Sequence, residues 1–368
     1  MTPRASIVVL AALFGLGSAL LFKDAAVLTG KDIGFDKPVA ISLGGGGVDV
    51  YAAIDRSADN AAEYGNHIVI ESIRASTNVL KLSTTRNESN SAEELDFVTF
   101  HGPIKITDNN NVTDDKRVPY VIFIVNSTTQ KYPVYAAEEE VFNKEKFNGG
   151  ATILNTFATA ALSLFSGTAK NLDVFTCGFD SISDATYKIL DVPIDYNSMA
   201  LISSPIFTVV DERLDRGTSV QFAVKNQSLS TSFLTSPDSN MVISSPGWAS
   251  TNSSYKLDQT YADFADGGFF YDNGTHGIAD VQINIGELSS GQNVALVFTD
   301  GTSVKTYDLK SKANVTDKVI KVNSLRLNVA GVAGAKPDYL IKIQSVNGAS
   351  FFSLFSSFLA FIAMRILW

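Results

Sequence analysis

The side chains that carry most enzymatic and metal chemistry are scarce in this chain. Among 368 residues there are three histidines, His67, His101 and His276, and a single cysteine, Cys177. None of the histidines has a second His, a Cys or an acid at ligand spacing, so no zinc site is expected. Residue 67 reads as a strand position, and residues 101 and 276 as turns. Cys177 is flanked by Phe175, Thr176, Gly178 and Phe179, with no Lys, Arg or His to lower its pKa. It reads as a small buried hydrophobe, with an intermolecular disulfide or a reactive thiol as the alternatives. Residues 108–115 (Asp-Asn-Asn-Asn-Val-Thr-Asp-Asp) imitate a calcium loop but lack its central Gly and terminal Glu, and read as a solvated turn. The glycine run 44–47 is not followed by Gly-Lys-Ser/Thr and is no phosphate loop. No Gly-x-Ser-x-Gly elbow occurs. Asp263, Asp266 and Glu287 are the acids a glycoside hydrolase could pair across a sugar. Acids scattered through β loops are usually solvated instead. The expectation is therefore no enzyme, no cofactor and no metal, with a carbohydrate-active surface hydrolase as the rival.

Charge narrows the partners. The formal net charge is −9, which disfavours nucleic acid and anionic lipid headgroups, both of which attract basic surfaces. Charged residues make up 18% and hydrophobic ones 45%, so the chain can bury real cores and is no disordered stalk. Its length allows two or three domains.

The two ends read as targeting signals. A short basic lead and an apolar run over residues 1–19 have the pattern of a secretory signal peptide. At the far end, Asn347-Gly348-Ala349 is a small-residue triad, followed by an interrupted spacer and an apolar tail to Trp368. That order is the pattern of a GPI-anchor signal, with Asn347 as attachment site and 348–368 as the exchanged segment. A plain spanning tail is the alternative, since 351–368 is near the lower length limit for a helix across a bilayer. The expected location is the secretory pathway and then the outer leaflet of the plasma membrane. Seven Asn-X-Ser/Thr sequons fit that route: Asn87, Asn111, Asn126, Asn226, Asn252, Asn273 and Asn314. A lone cysteine is unusual for an exported chain, so stability must come from apolar burial rather than disulfides.

Between the ends the pattern is β. Short runs rich in Val, Ile, Phe, Tyr and Thr are bounded by Gly, Asn, Asp and Ser, most clearly at 48–54, 67–73, 96–100, 120–125, 206–210, 219–224, 281–285 and 339–343. Residues 294–309 read as a hairpin, with Asp300-Gly301 suited to a type I′ turn. Residues 151–165 are rich in Ala and Leu, yet their β-branched and aromatic members favour a buried strand pair over a helix. An internal repeat is visible. Asn148-Gly149, Ser166-Gly167, 174–178 (Val-Phe-Thr-Cys-Gly), Thr186-Tyr187 and 197–201 recur in order as Asn273-Gly274, Ser290-Gly291, 297–301 (Val-Phe-Thr-Asp-Gly), Thr306-Tyr307 and 323–327. A fainter copy carries 96–102 at the strand-turn position. Each unit is expected to close on an apolar strand after Pro119, Pro205 or Pro337. The expected organisation is all-β, with tandem β-sandwich units at 25–127, 128–214 and 215–346 between the two terminal signals.

Residues 172–178 (Leu-Asp-Val-Phe-Thr-Cys-Gly), then Asn197-Ser198 and an apolar closing strand, resemble the second half of a CUB domain. Residues 96–102 and 296–301 are similar in outline. The chain lacks that family's paired cysteines, as divergent CUB-like secreted proteins of nematodes partly do. The resemblance implies a jelly-roll-like sandwich used for extracellular binding. It does not carry over the family's calcium site: Asp96 and Asp173 match one ligand position, but the third unit has Ala295 there. The function expected is a GPI-anchored, non-enzymatic binding or adhesion glycoprotein whose partner is an extracellular protein or glycan. Loop aromatics are the natural contacts, with Trp248 in Ser-Pro-Gly-Trp as first candidate and 269–271 as second. Besides the hydrolase, the other rival is a coat component that binds copies of itself. The middle unit carries no sequon, which fits either burial between its neighbours or a partner-binding face.

Overall fold

A computed structural model describes residues 20–21 and most of 24–137, omitting 31, 34, 36–37, 44–45, 86–93, 113–115 and 129–131; from 140 to 346 it describes the strands and a few flanking residues. The described residues are mostly strand, as the sequence pattern predicts. Nine strands come first: β1 (Leu20–Leu21), β2 (Ala25–Thr29), β3 (Val39–Ile41), β4 (Val48–Ile54), β5 (Ile68–Glu71), β6 (Ser76–Asn78), β7 (Val98–Phe100), β8 (Ile104–Asp108) and β9 (Tyr120–Asn126). Two six-residue helices, α1 (Ala61–Asn66) and α2 (Val79–Thr84), are inserted among them. The next nine are β10 (Val134–Ala136), β11 (Glu140–Phe142), β12 (Gly150–Leu154), β13 (Ala160–Ser166), β14 (Leu172–Phe175), β15 (Lys188–Leu190), β16 (Met199–Ile202), β17 (Ile206–Asp211) and β18 (Gln221–Asn226). The last nine are β19 (Ser232–Leu234), β20 (Asn240–Ser244), β21 (Ala262–Phe269), β22 (Gly277–Ile285), β23 (Asn293–Thr299), β24 (Val304–Leu309), β25 (Ala313–Val322), β26 (Ser324–Ala330) and β27 (Tyr339–Val346).

The pairing order repeats every nine strands. In the first unit one sheet contains β2-β9-β4-β7 and the other is β3-β8-β5-β6. In the second the corresponding runs are β11-β18-β13-β16 and β12-β17-β14-β15, and in the third β20-β27-β22-β25 and β21-β26-β23-β24. Eight strands divided in this order between two sheets form a jelly roll. The chain is three jelly rolls in series, each led in by a short extra strand, β1, β10 or β19. The strand order closes the first unit on β9, which ends at Asn126. The middle unit extends past residue 214, because β18 is its closing strand and pairs with β11 and β13. The strand after Pro205, β17, is the counterpart of β8 and β26 rather than a closing strand.

Burial patterns show how the sheets stack. In β5 and β8 buried and more exposed positions alternate, the mark of a sheet with one wet face. In β4 all seven residues are buried, and in β9 six of seven. The sheet that holds them is covered on both faces. Val50, Ala52, Ile54, Ile122 and Ile124 pack with Ile68, Ile70, Ile104 and Ile106 inside the first jelly roll. Tyr51, Ala53, Val121, Phe123 and Val125 turn the other way, against Val134, Leu154, Phe175, Ile206 and Val210 of the second. The sheet β10-β12-β17-β14-β15 is likewise double-sided, since Ala151, Ile153, Val174, Phe207 and Val209 pack with Leu162, Ala200, Ile202 and Val224. The missing sequons of the middle stretch thus coincide with burial.

Within 151–165, residues 151–154 and 160–165 form strands, and the two strands join different sheets rather than pairing with each other. Asn155 makes the corner: its side-chain amide donates to the carbonyls of Ile202 and Ser204 at 3.3 and 3.0 Å, and its oxygen accepts from Phe157 N at 3.0 Å. The 294–309 hairpin forms, with Val294 opposite Leu309. Its last described pair is Thr299 with Val304; Asp300 and Gly301, read as the type I′ turn, lie outside the described residues. The β16 and β20 strands pair in parallel, fusing sheets of the second and third units into one eight-stranded sheet. No described helix is long and apolar enough to cross a membrane.

Candidate functional site: the loop ends of the first jelly roll

The register of the first unit gathers its loops at two ends. Val48 pairs with both Phe100 and Asn126, so the segments before β4, after β7 and after β9 emerge together. Asp49 sits just inside this end, only 6% exposed. Its Oδ1 accepts from the Thr99 hydroxyl at 2.7 Å and the Ser127 hydroxyl at 2.9 Å. The His101 Nδ1–H donates to the Gly46 carbonyl at 2.8 Å, closing the loop over Gly47. A Cβ on Gly47 would lie 3.2 Å from that ring and 3.4 Å from the Ser127 hydroxyl, so a side chain here would push the imidazole aside by a few tenths of an ångström. This Asp–Ser–His group is not a hydrolytic triad. The acid takes the serine's proton donor directly, whereas a triad interposes the histidine. Tyr51, stacked near Phe123 and tilted against Phe97, has its hydroxyl pushed far up in pKa by burial and then by Asp49, Glu94 and Asp96.

The opposite end is organised by Asp108, the last residue of β8 and 2% exposed. The Tyr64 and Tyr120 hydroxyls each donate to its Oδ2 at 3.4 Å, while Asn110 N and Nδ2 each donate to Oδ1 at 2.8 Å. Burial first, then Asp108, Tyr64 and Asp32, raise the Tyr120 pKa, opposed by Arg117. Asp108 is therefore a structural anchor and not part of a solvated turn, although Asn109 and Asn111 beyond it are exposed. The residue-67 assignment also changes: His67 caps the C-terminus of α1, and its Nδ1 lies 3.2 Å from Asn110 Oδ1. Burying a carboxylate demands hydrogen-bond donors, and both ends of the unit supply them.

Sequons sit at both ends. Asn111 is exposed in the β8–β9 connection, and Asn126 is half-buried at the end of β9, its Oδ1 accepting from Thr128 N at 3.2 Å and Thr128 Oγ1 at 3.1 Å. Asn226 ends β18, so the closing strands of the first two jelly rolls finish on equivalent sequon asparagines. Asn314 is exposed on β25. In the third unit Asp317 Oδ2 accepts from Lys305 Nζ and Tyr307 Oη, both at 2.6 Å, and this pairing raises the lysine's pKa. Asp263 and Asp266 lie on β21. Asn87, Asn252, Asn273, Asn347, Trp248, Cys177, His276, Glu287, 270–271, 1–19 and 348–368 lie outside the described residues. Among the described residues no group of three His, Cys, Asp or Glu is arranged to hold a metal. The buried Asp49 node was missed in the sequence because its partners are 50 and 78 residues away.

No protein-family model and no curated protein matches the chain. Among solved structures, a carbohydrate-binding module in complex with beta-1,4-galactotriose is 10% identical, covering 29% of this chain and 81% of that one at a TM-score of 0.20. The CUB1-EGF-CUB2 region of human MASP-1/3 is 10% identical over 57% of this chain and 94% of that one, at 0.22. An archaeal-virus structure described by its triple jelly roll fold and turret assembly is 10% identical over 90% and 89%, at 0.21. At such scores the fold assignment rests on the strand order itself.

Proposed function

We propose that this chain is an exported surface glycoprotein that binds an extracellular protein or glycan through jelly-roll loops and catalyses no reaction. The carrying observation is that two sheets lose both faces to packing. The first unit's inner sheet and the middle unit's first sheet are each covered on both sides, so at those sheets partners are left only the loop ends and strand edges. The buried acids support the non-catalytic reading. Asp49 and Asp108 are held by hydroxyl and amide donors at structural positions rather than facing each other across a cleft. The tether in this reading is the C-terminal signal, with Asn347 as its attachment residue. Phosphatidylinositol-specific phospholipase applied to intact cells expressing the full chain releases it from the surface. Retention after treatment overturns the lipid anchor in favour of a spanning tail. A second reading, a coat component that associates with copies of itself, is favoured by the two open ends of the eight-stranded sheet.

A further inference from the structure

The eight-stranded sheet runs β11-β18-β13-β16-β20-β27-β22-β25, so its edges are β11 and β25 among the described strands. Within the chain, the sixth strand of the middle jelly roll, β16, joins the first strand of the last one, β20, in parallel. Four residue pairs make that seam, from Met199 with Met241 to Ile202 with Ser244. By the nine-strand repeat, β25 is the counterpart of β16 and β11 the counterpart of β20. The two edges are therefore the two halves of a junction that the molecule already makes once. Their directions also agree. Between β11 and β25 there are six antiparallel steps and one parallel step, so the two strands run the same way. A ten-residue edge strand such as β25 is a ready template for pairing.

We propose that the β25 edge of one chain pairs in parallel with the β11 edge of a second copy, repeating between chains the β16–β20 seam. The inference rests on the self-association reading. Each added copy enters with the same strand direction and offers a fresh β25, so the contact is heterologous and gives a ring or an open-ended array. Asn314 would project a glycan from the sheet face rather than along its edge, because strand side chains stand perpendicular to the ladder.

The test joins the two edges covalently in the full chain, in mild detergent to keep its apolar ends from associating. In a Cys177→Ser background, Glu140→Cys and Thr316→Cys are introduced singly and together, and a short bis-maleimide is added. Thr316→Cys also removes the sequon at Asn314. The double variant gives a covalent ladder of dimer, trimer and larger species, and either single variant gives none. A dimer from Thr316→Cys alone, as abundant as from the double variant, means that β25 pairs with itself and overturns the proposal. A double variant that stays monomeric overturns it too. Sedimentation velocity of the unmodified chain must show faster species as concentration rises; a monomer boundary throughout contradicts the proposal, and association without a ladder places the contact elsewhere. Failure of anchoring would appear in the phospholipase assay and leaves these outcomes unchanged.

Discussion

At the scale of residues, the first jelly roll is pinned at its two ends by buried acids and its core tyrosines. Tyr51 and Tyr120 both have pKa values raised, chiefly by burial and then by neighbouring carboxylates. A tyrosine ionises near pH 10 in an unfolded chain. With the folded pKa above that value, the native state holds the proton longer. The stability each contributes is complete below about pH 10 and is lost as pH rises toward the folded value. Melting temperature is therefore expected to fall above about pH 10, with Tyr120→Phe flattening that slope. Tyrosinate absorbance read alongside should show these tyrosines ionising only with unfolding; their titration in the folded protein near pH 10 would refute it. Little of this was legible in sequence. Asp108 looked solvated because its neighbours are polar, and its tyrosine partners, 44 residues before and 12 after, carry no local signal.

At the scale of elements, apolar runs located strands well, since β4 and the start of β9 match the readings at 48–54 and 120–125. The same runs held more than was taken from them. Residues 120–125 are apolar without alternation, which means that both faces are covered. The repeat was visible in part. Residues 174–178 and 297–301 lie on or beside equivalent strands, β14 and β23, but 96–102 falls on β7, whose counterpart is β16. Jelly-roll strands of like composition differ by pairing partner, which a single sequence does not display. The double-sided sheet has a testable consequence. Phe123 lies in the layer between the first two units and is fully buried. Phe123→Ala should cost about 3–5 kcal/mol. Urea unfolding followed by separate probes in each unit should show the two transitions drawing apart, because the deleted ring, on β9 of the first unit, packs against the second. A loss confined to the first unit would count against the shared layer.

At the scale of the whole molecule, the first two jelly rolls stack face to face and the second and third join edge to edge through β16 and β20, so the two doubly covered sheets leave partners only their loops and rims. Strands of the bare stretch between Asn126 and Asn226 lie in that stacked layer, and with β18 as its closing strand the middle unit itself ends on a sequon. Length and sequon spacing hinted at this arrangement, but the second boundary could not be placed without the β18 pairing. The most direct test uses glycans as probes of exposure in the full chain expressed through the secretory pathway. Arg74→Asn creates a sequon at the tip between β5 and β6, beside Ile73, which is 96% exposed. Ile206→Asn creates one on β17, at a residue fully buried in the layer between the first two units. The stacked surface glycoprotein predicts that the Arg74→Asn variant gains a glycan and reaches the cell surface, while the Ile206→Asn variant is retained inside the cell. An Ile206→Asn variant that carries the glycan and is displayed at the wild-type level would contradict the stacking, and absence of glycan from both would contradict export.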